Sequence, residues 1–377
     1  MKGDRHRLCF VIPSLAGGGA ERVAVQVLNA LDRSRWDRSL FLFERVGPFL
    51  ADLSPDITLE SADVTSRIGQ WRALRRFIRK ARPDVVVAFL SYWSALTATR
   101  AAGVGAKVVF AIGTPVGAFL SDRDYRWSQP WNRRVFTTVM RTACALADGI
   151  IATSTGVADD LIESVGSTAA RIRVVHNPVD VTEVASAARE PIDSADEARW
   201  QRPVIVAAGR LAEAKNYALL IEAFAILRRR TVATLFILGT GDEEANLRSR
   251  IASLGLVDSV HLCGFRRNPW SYMARADVFA LTSRYEGFGN VLVEAMACGV
   301  PVVATRSAGT LEVITPGADG LVVDQHEPAA FASALASVID NSELRAKMAA
   351  TARLHADRYR TDTIARDYDR VLTEALA

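Results

Sequence analysis

Two stretches of the chain share one order: a short apolar run, a turn that contains glycine, and then a helical pattern. In the first stretch the apolar run covers residues 8–12 and the glycines are residues 17–19. In the second stretch the run covers residues 204–208, Gly209 follows, and the helical pattern begins near Tyr217. A short apolar run bounded by turn residues is typical of a strand buried on both faces of a parallel sheet. The repeat predicts two α/β units.

Short β-rich runs recur through both halves of the chain, and helical patterns lie between most of them. These runs cover residues 84–89, 107–112, 149–153, 173–176, 235–238, 260–263, 278–281 and 300–304. Strands that alternate with helices form parallel sheets with helices on both faces. Because 377 residues are too many for one ordinary core, we predict two doubly wound, Rossmann-like domains.

The boundary between the two domains is expected within residues 178–203. Residues 185–202 are rich in Ala, Asp, Glu and Arg and lack an apolar period, and prolines punctuate the segment. We predict an N-terminal domain of residues 1–180 and a C-terminal domain of residues 181–377. The final segment, residues 354–377, is predicted to form one helix that packs on either domain.

The net charge of +4 is divided unevenly between the two halves of the chain. Residues 1–180 contain 24 Lys and Arg against 17 Asp and Glu, whereas the remaining residues contain 22 against 25. A positive first half favours an anionic substrate or surface as its partner. Nucleic acid is not expected, because the basic residues do not form a stripe within a known nucleic-acid-binding motif.

The sequence lacks the patterns of a metal cluster, a disulfide framework and a membrane span. The four cysteines (Cys9, Cys144, Cys263 and Cys298) and the five histidines have no paired spacing. No apolar run approaches the roughly 20 residues of a membrane-spanning helix, and the run at residues 8–12 is too short for a signal peptide. We expect a cytoplasmic protein with reduced thiols.

One segment, residues 284–301, combines glycines and carboxylates in a way that favours ligand binding. Its sequence is RYEGFGNVLVEAMACGVP. Gly287 and Gly289 allow a ligand to approach the backbone, and a helix that begins near Asn290 offers free N–H groups to an anion. Glu294 would lie about one turn into that helix, where its carboxylate can accept hydrogen bonds from a diol. The alternative is a turn whose glycines and carboxylate serve the helix alone.

A second segment, residues 209–216, places two cations on the loop after the first strand of the second domain. There Arg210 and Lys215 can neutralise a diphosphate as it gains charge on leaving. Two solvated surface cations are the alternative interpretation. Lys215 is informative because only 5 of the 46 basic residues are lysines, so arginine is the usual choice at solvated positions of this chain.

Together these segments resemble the motifs of glycosyltransferase family 4. That family contains retaining enzymes with the GT-B architecture, in which two Rossmann-like α/β domains face each other across a cleft. The family's E-x7-E pair corresponds to Glu286 and Glu294. Further resemblance lies in residues 17–22, 177–180, 238–244, 262–265, 276–279 and 309–312. It covers most of the second domain and less of the first.

The resemblance implies a donor site for a nucleotide sugar, chiefly in the second domain. Arg210 and Lys215 would hold the diphosphate and, with Glu286, would be the catalytic residues. Glu286 would hydrogen-bond the transferred sugar, while Glu294 would bind the ribose hydroxyls. Backbone amides, a turn beside the nucleobase and a loop of the first domain would complete the donor site. The residues concerned are Gly18, Gly19, Gly209, Phe265, Arg266, Gly287, Phe288, Gly289, Asn290, Val291 and Leu292.

The resemblance also implies a mechanism and partners. Retention in the family is explained by attack on the face that the diphosphate leaves, with the departing phosphate taking the acceptor's proton. Neither a metal nor a cofactor besides the nucleotide-sugar co-substrate, a UDP-sugar by preference, would then be obligatory. The acceptor would be a glycan or a lipid-linked sugar. Many relatives carry a histidine near the sugar, whereas residues 108–115 contain none, so another group would orient the sugar or the acceptor would lie differently.

Two basic stretches of the first domain suggest contact with an anionic membrane surface. Residues 67–82 predict a helix with apolar residues on one side and basic residues on the others. A sheet-covering helix with a charged outer face is the alternative. Residues 119–136 place aromatic residues beside arginines, which suits a headgroup region, a sugar platform or a loop packed on itself. On this interpretation the protein would act at the inner face of the plasma membrane.

Two other functions share the architecture, and a third is excluded by its motif. A nucleotide-sugar epimerase would use the same diphosphate pocket but would need acid and base residues beside it. A catalytically silent, nucleotide-sugar-binding subunit of an assembly is the alternative from another functional class. A dinucleotide dehydrogenase is excluded, because its fingerprint requires a third glycine where this chain has Arg22.

Overall fold

The structure, a computed structural model, describes residues 5–121, 130–324 and 326–377. It consists of two compact units. One unit comprises the residues up to Pro178 together with Thr361–Ala377, and the other comprises Val179–Arg360. Each unit contains one parallel sheet with helices around it.

The first unit is built on a seven-stranded parallel sheet. Its strands are β1 (His6–Ile12), β2 (Trp36–Leu42), β3 (Thr58–Ser61), β4 (Val85–Phe89), β5 (Lys107–Ile112), β6 (Gly149–Ala152) and β7 (Ile172–Val174). They lie in the order β3-β2-β1-β4-β5-β6-β7. The helices before Pro178 are α1 (Gly19–Ala30), α2 (Arg67–Ala81), α3 (Tyr92–Ala102), α4 (Val116–Ser121), α5 (Pro130–Leu146) and α6 (Thr155–Val165).

The second unit repeats this architecture with a six-stranded parallel sheet. Its strands are β8 (Val204–Ala208), β9 (Thr234–Leu238), β10 (Val260–Gly264), β11 (Val278–Leu281), β12 (Val302–Thr305) and β13 (Gly320–Val323), in the order β10-β9-β8-β11-β12-β13. Its helices are α7 (Val181–Ala187), α8 (Ser194–Glu197), α9 (Tyr217–Arg228), α10 (Glu244–Ser253), α11 (Trp270–Met273), α12 (Asn290–Ala297), α13 (Ala308–Val313), α14 (Pro328–Ile339) and α15 (Ser342–Ala356). The prediction of two doubly wound, Rossmann-like domains is confirmed.

Every strand predicted from an apolar run is present, but β2, β3 and β13 were not predicted. In β2 the run is broken by Asp37, Arg38 and Ser39. The Arg38 side chain is nonetheless buried, because its guanidinium donates hydrogen bonds to the carbonyl oxygens of Leu28 and Leu31 at 2.8 and 3.1 Å. A polar residue inside this strand therefore satisfies the carbonyls that α1 leaves unpaired at its C-terminal end.

The polar segment after Pro178 packs on the second unit rather than forming a free linker. It contains α7 and α8, and the side chains of Val184 and Ile192 are buried in that unit's core. Asp196 in α8 accepts hydrogen bonds from the Tyr272 hydroxyl at 2.6 Å and from Arg266 at 2.9 Å. The segment's polar sequence gave no apolar period, yet its Asp196 is buried and paired with residues of the second unit.

The last segment contains the predicted C-terminal helix, but that helix begins at Thr361 and not near residue 354. A 3-10 turn, Asp357–Tyr359, separates α15 from α16 (Thr361–Leu376). The helix α16 packs on the first unit, where its Tyr368 side chain is fully buried. There Asp369 pairs with Arg35 and accepts a hydrogen bond from the indole of Trp36 at 2.6 Å. Because of this break, α15 belongs to the second unit whereas α16 returns to the first.

The helix α2 covers the sheet of the first unit with its apolar side. Leu74, Phe77 and Ile78 are buried there, and the Trp71 indole donates a hydrogen bond to Thr97 at 3.0 Å. Most of the apolar side is thus unavailable for insertion into lipid, which leaves the basic outer face as the part that could meet an anionic surface. Residues 122–129 of the second basic stretch lie outside the described residues. Among the described helices, none is long and apolar enough to cross a membrane.

Candidate active site

The predicted donor-site residues of the second unit collect where its parallel strands end. Gly209 and Arg210 follow β8, Lys215 lies in the 3-10 turn before α9, and Glu286 lies on the loop between β11 and α12. Ligands of doubly wound sheets bind at this edge, beyond the carboxyl ends of the strands. The fold thus places residues that are 71 positions apart, Lys215 and Glu286, in direct contact.

Lys215 and Glu286 form an ion pair at this edge of the sheet. The Lys215 Nζ lies 2.5 Å from Glu286 Oε1, and the two side chains are 25% and 11% exposed. The Ser283 hydroxyl donates a second hydrogen bond to the same carboxylate oxygen at 2.6 Å. A partly buried carboxylate with two donors is held in one orientation, whereas the more exposed lysine can still present N–H groups to a ligand.

Buried hydroxyl groups fix the backbone around this ion pair, and sequence reasoning missed them. The Thr282 hydroxyl donates to the carbonyl oxygen of Lys215 at 3.0 Å. The Thr305 hydroxyl donates to the carbonyl oxygen of Ser283 at 2.6 Å, and Thr310 donates to that of Thr305 at 3.0 Å. The sequence carried a signal for these residues. Ser and Thr directly follow apolar strand runs, and polar residues at strand ends line the binding edge of such sheets.

The loop from Glu286 to Gly289 is shaped by glycines on both of its sides. Gly289 has φ +90°, a conformation that favours glycine, and it precedes the first residue of α12. The Gly309 N–H donates to the carbonyl oxygen of Glu286 at 3.1 Å. A Cβ at position 309 would lie 2.7 Å from that oxygen and from the Phe288 nitrogen. Gly309 is therefore a site residue that sequence reasoning did not assign.

The α12 helix starts at this same edge of the sheet. Its first three residues are Asn290, Val291 and Leu292, so its N-terminal amides and positive dipole end lie next to the Glu286 loop. An anion is stabilised at such a helix start. The Leu292 N–H itself donates to the Gly289 carbonyl oxygen at 2.8 Å, and ligand contacts of the backbone from Gly287 to Leu292 stay a prediction.

Arg210 is the exposed cation of the site. Its side chain forms no hydrogen bond or ion pair with another described residue. The turn before it is tight, because Gly209 has φ +151° and a Cβ at Gly239 would lie 2.0 Å from the Gly209 carbonyl oxygen. The guanidinium is thus presented to solvent on a constrained loop.

Glu294 lies one turn into α12, as predicted, and is only 8% exposed. The Trp270 indole N–H donates a hydrogen bond to Glu294 Oε2 at 3.0 Å. A buried indole needs an acceptor and a buried carboxylate needs donors, so this bond sets the carboxylate's orientation. Trp270 was not predicted, because the contact joins two helices that are distant in sequence.

Trp270→Phe is expected to lower the free energy of unfolding by about 2 kcal/mol, because a mostly buried carboxylate loses a hydrogen-bond donor. Urea unfolding followed by circular dichroism measures the loss. The matched control is Trp200→Phe, since Trp200 stacks on Phe236 with ring centroids 4.8 Å apart. The Trp200 indole N–H has no hydrogen-bond acceptor among the described residues. Equal losses in the two variants would show that ring area, and not the bond to Glu294, stabilises the site.

Of the two residues predicted beside the nucleobase, only Phe265 presents an exposed side chain, at 51%. The Arg266 guanidinium instead donates to the Tyr272 hydroxyl at 3.0 Å and to Asp196 at 2.9 Å. Burial alone would raise the pKa of Asp196, but hydrogen bonds from Tyr272 and Arg266 lower it below its ordinary value. Arg266 therefore anchors α8 against the β10–α11 turn, and its charge is already partnered.

Gly18 and Gly19 lie in the first unit, after the carboxyl end of β1. Gly18 is the N-cap residue of α1 and Gly19 is its first residue. A Cβ at Gly18 would lie 2.3 Å from a carboxylate oxygen of Glu21. The predicted role of this loop, closing over the diphosphate, stays a prediction.

No group of three or more His, Cys, Asp and Glu side chains that could hold a metal ion occurs in the described part of the chain. The four cysteines are free thiols.

Two family models match adjacent parts of the chain. The model described as Glycosyltransferase Family 4 matches residues 17–183, and the model described as Glycosyl transferases group 1 matches residues 189–355. Each match covers the greater part of one unit and includes the predicted donor-site residues of that unit.

Relatives include a transferase named for an undecaprenol-linked acceptor and two transferases of lipopolysaccharide core biosynthesis. A Campylobacter jejuni N-acetylgalactosamine-N,N'-diacetylbacillosaminyl-diphospho-undecaprenol 4-alpha-N-acetylgalactosaminyltransferase is 33% identical over 222 residues, 59% of each chain. The Rhizobium meliloti lipopolysaccharide core biosynthesis glycosyltransferase LpsE is 34% identical over 47% of this chain and 50% of its own length. LpsD of the same species is 28% identical over 88% of each chain. The match thus spans half to three fifths of the first two relatives' lengths.

Solved structures share the fold over nearly the whole chain. Anabaena HepE in complex with UDP and glucose superposes with a TM-score of 0.80 at 24% identity, covering 98% of this chain and all of HepE. WaaG, a glycosyltransferase involved in lipopolysaccharide biosynthesis, superposes with a TM-score of 0.75 at 17% identity, covering 97% and 99% of the two chains. These similarities and the two parallel sheets confirm the GT-B architecture. Matched by two glycosyltransferase family models and built on two Rossmann-like units, the chain is a family 4-like glycosyltransferase of the GT-B type.

Proposed function

We propose that the chain is a retaining glycosyltransferase that moves a hexose-type sugar from a UDP-sugar to a glycan or lipid-linked acceptor in cell-surface glycan assembly. The observation that carries this proposal is the Lys215–Glu286 pair, with Nζ and Oε1 2.5 Å apart at the carboxyl edge of the second sheet. A cation for a diphosphate and a carboxylate for a sugar are thereby adjacent. The start of α12 and the exposed Arg210 lie at the same edge.

The positive groups of the site would bind the diphosphate. Lys215 has three N–H donors, so its ammonium group can turn to a phosphate oxygen of the diphosphate. Arg210 can offer a fork of N–H groups to the same diphosphate. Backbone amides of the Glu286 loop and of the start of α12 would add uncharged donors. Such groups stabilise charge that develops on the leaving group, which is where electrostatic catalysis acts.

The carboxylates would select the sugar and the nucleoside. Glu286, held by Ser283, would accept hydrogen bonds from hydroxyl groups of the transferred sugar. Glu294, oriented by Trp270, would accept hydrogen bonds from the ribose diol. The exposed ring of Phe265 would lie beside the nucleobase.

The chemical step would proceed on one face of the sugar. The bond between the anomeric carbon and the phosphate oxygen breaks, and its electron pair leaves with the diphosphate. The acceptor hydroxyl oxygen forms its bond to the anomeric carbon on that same face, and its proton passes to the departing phosphate oxygen. Arg210 and Lys215 would stabilise the leaving charge, so we propose that a divalent metal is not obligatory.

The relatives guide the choice of substrates. The Campylobacter relative is named for an undecaprenol-linked acceptor, LpsD for the lipopolysaccharide core, and HepE was crystallised with UDP and glucose. These names support UDP as the first nucleotide to test and a lipid-linked sugar as the first acceptor class.

A thermal-shift panel of UDP-, GDP- and ADP-sugars tests the donor site. A ligand at a hundredfold excess over its Kd stabilises the native state by about 2.7 kcal/mol, which would raise the Tm by about 5 °C or more. We expect one nucleotide class, UDP by preference, to produce this shift, and Lys215→Ala to abolish it.

Lys347→Ala is the matched control, because Lys347 lies on α15 and forms no ion pair with a described residue. This variant should keep the full shift. If no nucleotide sugar stabilises the protein, or if Lys215→Ala keeps the full shift, the donor-site proposal is wrong. A shift without transfer to any acceptor would favour the catalytically silent binding subunit.

A further inference from the structure

One buried tyrosine beside the donor site carries a hydroxyl group without a hydrogen-bond partner. Tyr217, the first residue of α9, is only 2% exposed, and its Oη finds no partner among the described residues. Leaving such a group unsatisfied costs about 1–3 kcal/mol. Because native proteins satisfy nearly all buried polar groups, an orphaned hydroxyl at a binding edge calls for an explanation.

The hydroxyl lies against the same glycine as the lysine of the ion pair. A Cβ at Gly209 would be 3.0 Å from Tyr217 Oη and 3.5 Å from Lys215 Cε. The tyrosine hydroxyl and the lysine stem therefore share the space that a glycine side chain leaves open. Any larger residue at position 209 would displace one of them.

The phenol is held in its protonated, donating form. Burial raises the pKa of Tyr217, and the negative charge of Glu286 raises it further. Lys215 connects the two groups, because its stem shares the space at Gly209 with the phenol and its Nζ lies 2.5 Å from Glu286 Oε1. A protonated hydroxyl close to a carboxylate can become its hydrogen-bond donor when another donor leaves.

The donor that can leave is Lys215. Glu286 Oε1 now accepts from Lys215 and from Ser283, and Ser283 is fully buried at the end of β11. Lys215 is the more exposed partner, at 25%. Under the proposed function its ammonium group is attracted to the incoming diphosphate, which carries more charge than one carboxylate.

We propose that Tyr217 is a positioning residue that donates a hydrogen bond to Glu286 when Lys215 turns to the diphosphate of the donor. The ligand-bound half of this exchange rests on the proposed function. Glu286 would then keep two donors, Ser283 and either Lys215 or Tyr217, at every stage. A carboxylate that stays oriented throughout can hold the sugar hydroxyls in one geometry for transfer.

The exchange is testable without any ligand, because removing the lysine side chain imitates its departure. Tyr217→Phe is compared in the wild-type and Lys215→Ala backgrounds by thermal unfolding at pH 8, where carboxylates are ionised. In the wild type the variant should leave the Tm unchanged or raise it, since it removes an unsatisfied hydroxyl. In the Lys215→Ala background the hydroxyl is the replacement donor, so its loss should lower the Tm by about 3 °C or more.

Tyr368→Phe is the matched control. Tyr368 is also fully buried with a hydroxyl that lacks a partner among the described residues, but it lies in the first unit. Its effect should be the same in both backgrounds. Equal effects of Tyr217→Phe in both backgrounds would overturn the exchange. If Lys215→Ala does not fold, Lys215→Met provides the same comparison with the lysine stem's volume retained.

Transfer kinetics test the ligand-bound half. Tyr217→Phe should lower kcat about tenfold while the Tm shift produced by UDP stays within error, because Glu286 meets the sugar and not the nucleotide. An unchanged kcat, or an equal loss of UDP binding, would overturn the positioning role. If the wild type binds no nucleotide, the proposed function fails, whereas the ligand-free comparison still decides whether Tyr217 reaches Glu286.

Discussion

Ending the chain at Arg360, which removes α16, is expected to unfold the first unit and to leave the second unit folded. The helix contributes four buried apolar side chains to the first core, Ile364, Tyr368, Val371 and Leu372. At about 1.5–3 kcal/mol each, their loss costs about 6–12 kcal/mol. A domain's whole free energy of unfolding is about 5–15 kcal/mol, so little stability would remain.

The polar contacts of α16 point in the same direction. The Trp36 indole, almost fully buried, would lose the Asp369 carboxylate as its acceptor, and Arg173 would lose its ion pair with Glu374 at 3.0 Å. The second unit, in contrast, ends at Arg360, before α16 begins. The truncation therefore separates the stabilities of the two units.

Limited proteolysis with mass spectrometry measures the outcome. New cleavage sites should appear before Pro178, while residues 179–360 stay protected. Full-length Arg366→Ala is the control, because Arg366 lies on the same helix but is 70% exposed and pairs only with residues one turn before it. If the truncated chain resists the protease as well as the control does, α16 is not part of the first core.

The apolar pattern predicted the inner strands because nothing interrupts it there. Strands β5 and β11 were predicted with the ends that the structure has. β2 was missed because Arg38 breaks the apolar run, and its burial depends on helix carbonyls that only the folded unit brings close. The sequence signal of a strand is local, whereas the reason for a buried arginine is tertiary.

Helix ends were harder to predict than helices. The helical pattern continues from residue 354 to residue 377, yet α15 ends at Ala356 and α16 begins only at Thr361, in the first unit. The Val179 N–H donates to the Tyr359 carbonyl oxygen at 2.8 Å, and this bond fixes the break. A partner 180 positions away gives no signal in a local window.

The site motifs predicted charged residues that the structure brings to the carboxyl edge of the second sheet, but they did not predict which residues hold them there. Lys215 and Glu286 meet as the motifs imply, while Ser283, Trp270 and Gly309 act through contacts that depend on the sheet edge. Arg266 is the opposite case. Its position beside Phe265 suggested a ligand contact, and the structure pairs it with Asp196 from a segment whose composition resembled a linker.

Glu286→Gln is expected to reduce transfer by about a hundredfold or more while the protein stays folded and still binds UDP. The amide keeps the shape of the carboxylate and can still accept from Ser283, so the loop should persist. It loses the charge that pairs with Lys215 and that makes hydrogen bonds to sugar hydroxyls strong. Removing one such electrostatic contact typically costs about 10²–10³ in kcat.

The contrast between donor binding and transfer makes this prediction specific. Lys215→Ala should lose both the UDP shift and transfer, because the lysine is proposed to hold the diphosphate. Glu286→Gln should lose transfer alone, with kcat measured on a UDP-sugar and an undecaprenyl-linked acceptor. The matched control is Glu213→Gln, since Glu213 lies two residues before Lys215 but pairs with Arg284 at 2.6 Å.

Glu213→Gln should retain transfer within about twofold, because its charge is directed at an arginine outside the proposed sugar contact. If Glu286→Gln transfers as fast as the wild type, the carboxylate does not act on the sugar and the E-x7-E assignment fails at its first member. If both variants lose transfer equally, transfer depends on the total charge around the site, and Glu286 has no role of its own. The proposal for Glu286 requires that Glu286→Gln loses transfer but still binds UDP, while Glu213→Gln keeps transfer.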